Sequence, residues 1–515
     1  MEKATQRGVE RPVRLDEALA AWREALDDGR VAEQGEVFEA AQWTTFATPQ
    51  RIWAVLFPVC REEVQACIQI ASRFEVPVYP ISRGKNWGLG SKLPPCDAVL
   101  LDLSRMDRIV DFDEEMAYIT VEPGVTFQQV YAFLQARGSS LMLSVTGGSP
   151  YASVIGNCAE RGDGVGPYGD RAEHTCDMEV VLPDGEVLYT GFSRYAEASK
   201  IAPLSRWVPG PGINEMFLQS SLGIITRMTV WLMPKPAYLH VVWATFRDGA
   251  HLAEATDIFR RLMLQGVLPR NAMTMWNLYK ILARKQQFPF ATQSVEEPFL
   301  LSSVPSEPWY ACAPLYYPSR EHARVDRRYL LEQLENHVHD LIFFDQEEHP
   351  EIVQNSLFVG VPTEENIAST YWRKSQPPPA QMDPDRDRCG VLWTCHVVPL
   401  QSTAVSRFME IAERIVLEHG LEPNLGLSCM SVRAMRVFVA LMYDRDTEGH
   451  DQKAMRCHDA VFSALCAEGF LPYRLGLPSM SLMPAVTDQS AAFLHKIKSL
   501  LDPHHVLAPG RYTSR

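Results

Sequence analysis

The sequence predicts an α+β protein built in two main parts, and three observations carry that prediction. Helical and strand periodicities alternate along the chain without the regular βαβ spacing of a doubly wound sheet. A breaker cluster, Pro234-Lys-Pro236, follows the strand-like run Met228–Leu232 and marks a boundary between the parts. The 515 residues are enough for about two to four domains, and a 46% hydrophobic content supplies material for sizeable cores.

Residues 14–29 place Leu15, Leu19, Trp22 and Leu26 on one face at helical spacing and end at Gly29, so an amphipathic helix is expected there. Residues 62–75 repeat the pattern. The following Val76-Pro-Val-Tyr-Pro-Ile81 reads as a buried strand that runs into a glycine-rich loop. Residues 117–124 alternate like a strand, Phe127 to Ala136 like a helix, and 178–189 like a hairpin turning at Asp184-Gly185. Beyond the breaker, helices at 250–264 and 403–419 alternate with the strand-like runs Tyr238–Phe246, Tyr310–Tyr316, Gly390–Val398 and Val432–Met442. Residues 375–388 are polar and proline-rich, and an exposed loop over the mouth of a site is expected.

Composition excludes several classes. A formal net charge of -14 argues against nucleic acid as a partner, because binding phosphates needs concentrated Lys and Arg. Met1-Glu-Lys-Ala-Thr-Gln-Arg7 lacks the charged-then-apolar pattern of a signal peptide, and there is no long uninterrupted apolar run; a cytoplasmic chain without membrane contact is expected. The cysteines number eleven, contain no CxxC pair and are scattered from Cys60 to Cys466, which suggests reduced, buried thiols rather than a zinc site or a disulfide framework. His337 and His339 are two residues apart, which puts their rings on different faces of a helix, so both read as solvated or capping groups and no metal is expected. Asp345-Gln-Glu-Glu348 reads as solvated surface.

The loop Pro80-Ile-Ser-Arg-Gly-Lys-Asn-Trp-Gly-Leu-Gly90 carries the strongest chemical signal. Its glycines permit tight turns and close approach, and successive N–H groups in such a loop can cradle a phosphate. It is not a Walker A loop, since Gly84-Lys85 is followed by Asn86 and not by Ser or Thr. Nor is it a Rossmann fingerprint, since Leu93 stands where the third small residue would be.

This loop resembles the pyrophosphate-binding loop of the vanillyl-alcohol oxidase / p-cresol methylhydroxylase flavoprotein family. Further blocks occur in family order: Leu101-Asp-Leu-Ser-Arg-Met106, Val121-Glu-Pro-Gly-Val-Thr126, Ile155-Gly-Asn-Cys-Ala-Glu-Arg-Gly162, Pro167-Tyr-Gly-Asp170, Ser221-Leu-Gly-Ile-Ile-Thr226 and Leu507-Ala-Pro-Gly-Arg511. The resemblance implies an N-terminal helical segment (1–49), a two-part FAD-binding domain (50–236), a ferredoxin-like antiparallel-sheet cap that binds substrate (237–467), and a C-terminal segment returning to the FAD domain (468–515). It implies hydride transfer from a substrate C–H or CH–OH group, on an aromatic, phenolic or carbonyl-adjacent small molecule, to the flavin. Oxygen or an electron-acceptor protein would then take the electrons, and a homo-oligomer such as a dimer is expected.

Carried onto this sequence, the family pattern puts FAD against Pro80, Ile81, Ser82, Arg83, Gly84, Lys85, Asn86, Trp87 and Leu89. It adds Gly148, Ser149, Ser153, Val154, Gly156, Asn157, Glu160, Gly162, Gly164, Ile224 and Ile225 along the rings. Arg474 and Arg511 would stabilise negative charge on the reduced flavin, Glu160 and Asp170 would support the flavin loop, and Cys158 reads as a packed small thiol.

The departures are equally informative. Val437 stands where relatives carry a flavin-linking histidine, no cysteine lies near Val165-Gly-Pro167, and Gly390–Pro399 contains no tyrosine, so non-covalent FAD is expected. The catalytic candidates are Tyr473 and Arg474. If a base is needed, Tyr473, lowered by the adjacent Arg474, is the first candidate. Two further tyrosines of the family site align with Leu89 and Val165, and its acid with Gly148, leaving Ser149 or Thr146 as hydrogen-bond donors. The expected substrate pocket is therefore Leu89, Val165, Trp393, Cys395, Val437 and Tyr473. Tyr473 with Arg474 could hold a phenolate, a carboxylate or a carbonyl. A dehydrogenase of a 2-hydroxy acid or sugar-like alcohol, and a non-catalytic flavoprotein, are the alternatives.

Overall fold

The computed structural model describes residues 11–198, 200–270, 273–290, 309–354, 356–483 and 489–512; the reading of Met1 to Arg7 lies outside them. The first helix, Leu15–Leu26, buries Leu15, Leu19, Trp22 and Leu26, the face its spacing predicts. Trp22 Nε1 donates to the Cys67 carbonyl at 3.1 Å, which locks it to the helix Arg61–Phe74. Both pack on a four-stranded sheet in the order Val31–Ala32, Ile52–Leu56, Ala98–Asp102, Val78–Ile81, whose last three strands run parallel. Ala98–Asp102 is buried along its whole length, as a central parallel strand must be. The returning C-terminus joins the Val78–Ile81 edge, where Val78 N–H donates to Val506 O and Ala508 N–H to Val78 O, both at 2.8 Å.

A second, antiparallel sheet has the order Ile109–Asp113, Tyr118–Val121, Ile224–Trp231, Thr175–Val181, Val187–Tyr189. The helix Phe127–Ala136 begins with a capping box between Thr126 and Gln129, and it shares a core with Val154, Ile155 and Cys158 of the short helix Val154–Ala159. The hairpin turns at Gly185, whose φ of +88° is open to glycine and strained for other residues.

The third sheet is wholly antiparallel and seven-stranded: Asp340–Asp345, Tyr238–Phe246, Trp309–Tyr317, Thr274–Asn277, Asn424–Cys429, Ala434–Asp444, Cys389–Pro399. The helices Gly249–Leu264, Arg320–Leu334, Ser402–Glu418 and His450–Ala467 bury their apolar faces against one side. Period-two alternation then decides which residues face the other side. On Ala434–Asp444, Met435, Val437, Val439, Leu441 and Tyr443 join the helix-facing core, while Arg436, Phe438, Ala440 and Met442 point away from it.

One surface expectation fails here and another holds in part. Asp345 is buried at a strand end and accepts hydrogen bonds from Tyr238 OH at 2.5 Å and His240 Nε2 at 3.0 Å, so it is structural rather than solvated. In the segment 375–388, residues 375–377, 379–381, Arg386 and Arg388 are exposed, whereas Asp383, Pro384 and Asp385 are drawn in. Asp383 takes the Lys85 ammonium at 2.6 Å, and Asp385 accepts from Trp87 Nε1 at 3.0 Å and Ser91 Oγ at 2.7 Å, clamping the glycine loop.

Candidate functional site

A trough enclosing about 1130 Å³ of space between atoms, part of it open to solvent, runs between the first two sheets and the returning C-terminus. Pro80, Ile81, Ser82, Arg83, Gly84, Lys85 and Asn86 form one wall, Ser153, Gly156, Asn157 and Glu160 another, and Ile224, Ile225, Arg474 and Arg511 close it. Gly84 turns the loop at φ +63°, and the N–H groups of Arg83, Gly84, Lys85 and Asn86 make no hydrogen bond among the described residues. Such a row of free donors suits a pyrophosphate. A side chain on Gly156 would collide with Ser82 Oγ, so the two walls approach each other only because that residue is glycine.

The charges divide by role. Arg511 pairs with Glu160 and donates to Tyr79 OH at 2.5 Å, so its charge is already balanced and it ties the C-terminus to the trough. Burial pushes the Glu160 carboxyl up, but Arg511 and Arg474 more than offset it, and the net movement is below the usual carboxylate range. Arg474 donates to Asn86 Oδ1 at 2.7 Å, has no ion pair among the described residues, and keeps a buried Nε without a partner. The unmatched cation beside free loop donors fits an anionic, dinucleotide-sized cofactor.

Other expected cofactor residues are not among those that line the trough. Val154 is fully buried in the core, Gly162 and Gly164 leave room for Asn157 and Arg171, and Gly148 and Ser149 sit in a turn in which Ser149 Oγ accepts from Tyr151 N–H. Trp87 serves the clamp to Asp385, and Leu89 belongs to a neighbouring apolar cluster.

That cluster gathers Leu89, Cys395 and Tyr473, with Trp393, Val397 and Phe438 packed on it. Three chain segments converge: Trp393 N–H donates to Gly88 O at 3.1 Å, Tyr473 N–H to Cys395 O at 3.1 Å, and Leu477 N–H to Leu89 O at 2.9 Å. Val165 is half-buried outside this cluster, and Val437 is turned by strand alternation into the helix-facing core, so neither joins the other four expected pocket residues.

Tyr473 is not a lowered base. Burial pushes its hydroxyl well above the usual tyrosine range, and the nearby Arg436 and Arg474 only partly counter this. It is a neutral donor at physiological pH. Asp170, expected to support the flavin loop, instead shares the fully buried Arg436 with Asp163, at 2.5 Å and 2.6 Å. The Arg436 guanidinium lies 5.0 Å from the Tyr473 ring centroid. Sequence reasoning missed Arg436, although the apolar alternation of Met435, Val437 and Val439 is signal enough to put it on the opposite face. It also missed Phe217, Gln219 and Ala508 on the trough.

Comparison with known proteins agrees with this geometry. A profile of the FAD binding domain family matches residues 53–191. The 1'-carboxy-chondrochloren decarboxylase of Chondromyces crocatus is 41% identical over 97% of this chain and 98% of its own. The flavoprotein subunit of the hydroxylating 4-cresol dehydrogenase of Pseudomonas putida is 28% identical over 87% of this chain and 85% of its own. The crystal structure of p-cresol methylhydroxylase with substrate bound superposes with a TM-score of 0.87 at 26% identity, covering 97% of this chain and 96% of that one.

Proposed function

This chain belongs to the p-cresol methylhydroxylase-type flavoprotein family and uses FAD, and from that premise we propose that it oxidises an anionic aromatic small molecule with loss of a carboxylate as CO2. The observation that carries the reading is Arg474, a half-buried cation with no ion pair among the described residues, at the junction of the FAD trough and the Tyr473 cluster. The decarboxylase relative, which aligns along nearly the whole chain, supports the loss of a carboxyl group.

FAD, when bound, supplies a two-electron acceptor, so a C–H bond beside the ring can be given up as hydride while the C–carboxylate electrons form a C=C bond and CO2 leaves. The protein's part is binding and orientation. Arg474 offers a planar pair of donors to an oxyanion, and Tyr473, held neutral by its apolar surroundings, donates a hydrogen bond to substrate oxygen. Leu89, Trp393 and Phe438 exclude water and pack on the ring. The chemistry needs no carboxylate base, consistent with Gly148 at the position where the family acid aligns. Arg436, pinned by Asp163 and Asp170, fixes the face of Tyr473.

FAD is held non-covalently in this reading, since Val437 offers no nucleophile and faces the other side of its sheet. Acid precipitation should leave the yellow colour in the supernatant. The substrate reading is tested by anaerobic mixing with p-hydroxyphenylpropanoate and, separately, with p-ethylphenol. Bleaching of the flavin by the first and not the second is expected; bleaching by p-ethylphenol alone, or by neither, overturns it. Reoxidation would be by oxygen or by an electron-acceptor protein.

A further inference from the structure

Lys280 lies on the helix Leu278–Lys285, which packs on the open side of the seven-stranded sheet. Its place is fixed by the helix start. Asn277 Oδ1 accepts from Lys280 N–H at 3.2 Å and from Leu425 N–H at 3.1 Å, while Asn277 Nδ2 donates to Pro423 O at 2.5 Å, so the helix is riveted to the strand Asn424–Cys429. Gly426 of that strand leaves the space the lysine stem fills, since a Cβ there would come within 3.2 Å of Lys280 Cε.

The ammonium so placed stands 4.9 Å from the centroid of the Trp393 ring. Trp393 is the residue that packs on Leu89, Cys395 and Tyr473 and bonds through its N–H to the glycine loop. Among the described residues no carboxylate lies within ion-pairing distance of Lys280, and its one hydrogen bond runs 3.4 Å to the Asn424 amide oxygen. The neighbouring charge is of the same sign: Arg284, one turn along the helix, pairs outward with Glu365 at 2.8 Å. Burial and Arg284 hold the Lys280 ammonium down at about 8, which still leaves it mostly charged at neutral pH. The Cys395 thiol feels both Arg474 and Lys280, which places the two cations near one small region.

A half-buried cation with a stacked indole, a weak amide contact and no counter-ion among the described residues is a fit partner for an anion. We propose that Lys280 is a specificity-determining residue that receives the substrate's carboxylate, leaving Arg474 and Tyr473 to the oxygen at the other end of the ring. This rests on the proposed function and narrows it to aromatic substrates with an anionic side chain distal to the phenolic oxygen.

The test is titration of the FAD-loaded enzyme under anaerobic conditions, reading the flavin difference spectrum, with p-hydroxyphenylpropanoate and p-ethylphenol as the two probes. Flavin content is measured in each variant first. K280Q should weaken the carboxylate probe about tenfold to a hundredfold more than the carboxylate-free one, the loss expected for a charge-assisted hydrogen bond. K280R, which keeps the charge, should recover much of that difference. Equal weakening of both probes by K280Q, or none, overturns the assignment. If the unaltered enzyme binds and is bleached by the carboxylate probe while K280Q discriminates as well as it does, only the lysine assignment falls. If the unaltered enzyme does not respond to the carboxylate probe at all, the proposed function falls, and this inference with it.

Discussion

Replacing Arg436 with Met strips the charge from a fully buried guanidinium and leaves Asp163 and Asp170 facing each other without it. Removing one partner of a buried pair costs about 3–5 kcal/mol. The two carboxylates do not share that equally. Asp163 keeps 23% of its side chain exposed and can rehydrate, whereas Asp170 keeps 5% and cannot. The loss should therefore come mainly from Asp170 and sit near the lower end, about 3 kcal/mol. Because these bonds join residues 273 and 266 positions apart, the loss is one of docking between the sheets rather than of local structure. Urea unfolding followed by both tryptophan and flavin fluorescence reads it, and the earlier transition should move while the later one stays, since a chain of this size need not unfold in one step. Adding Asp163→Asn and Asp170→Asn to the Met variant should restore most of the loss, because the cost lies in the unpaired charges. A single variant within about 1 kcal/mol of the parent, or a triple variant no better than the single one, would refute the reasoning.

Three further outcomes follow from the structure. Tyr473→Phe should lower the rate of flavin reduction about a hundredfold without introducing or removing a pH limb between pH 6 and 9, because the neutral hydroxyl acts as a donor and burial keeps it from ionising there; stopped-flow rates across that range check it. Asp385 is pushed up to about 7 by burial, so the loop clamp is strongest in acid and weakens as pH rises through that value; Asp385→Asn should flatten the fall in urea midpoint between about pH 5 and about pH 8. Glu160 runs the other way, since its lowered carboxyl stabilises the fold above the ordinary carboxylate range and loses that contribution as pH falls through its own value; Glu160→Gln should weaken flavin retention at neutral pH and blunt its acid dependence, read by flavin fluorescence on release.

Much of the fold was legible because its elements are carried by local periodicity. Leu15, Leu19, Trp22 and Leu26 specify a helix by spacing alone, and Tyr238–Phe246 and Phe127–Ala136 fall where alternation and helical spacing put them. The glycine loop was legible for a different reason: free donors and a left-handed Gly84 are properties of a few adjacent residues. What was hidden depends on partners far away in sequence. Asp345 looks solvated beside Glu347 and Glu348, yet Tyr238 and His240 bury it from a strand about a hundred residues earlier. Tyr473 looked acidified because Arg474 adjoins it, but the desolvation supplied by Leu89, Cys395 and Phe438 is the larger effect. Lys280 gave no signal, because its meaning lies in the Trp393 face and in the absence of a counter-ion among the described residues, both set by tertiary packing. Alternation could have placed Val437 on the helix side and Arg436 opposite; alignment to the family histidine drew attention to the wrong neighbour.

Coupling of oxidation to loss of a carboxylate is measured by the ratio of CO2 released to FAD reduced in a single anaerobic turnover with p-hydroxyphenylpropanoate labelled in its carboxyl carbon. One CO2 is expected for each flavin reduced. Flavin reduction with the label retained in the product would contradict it.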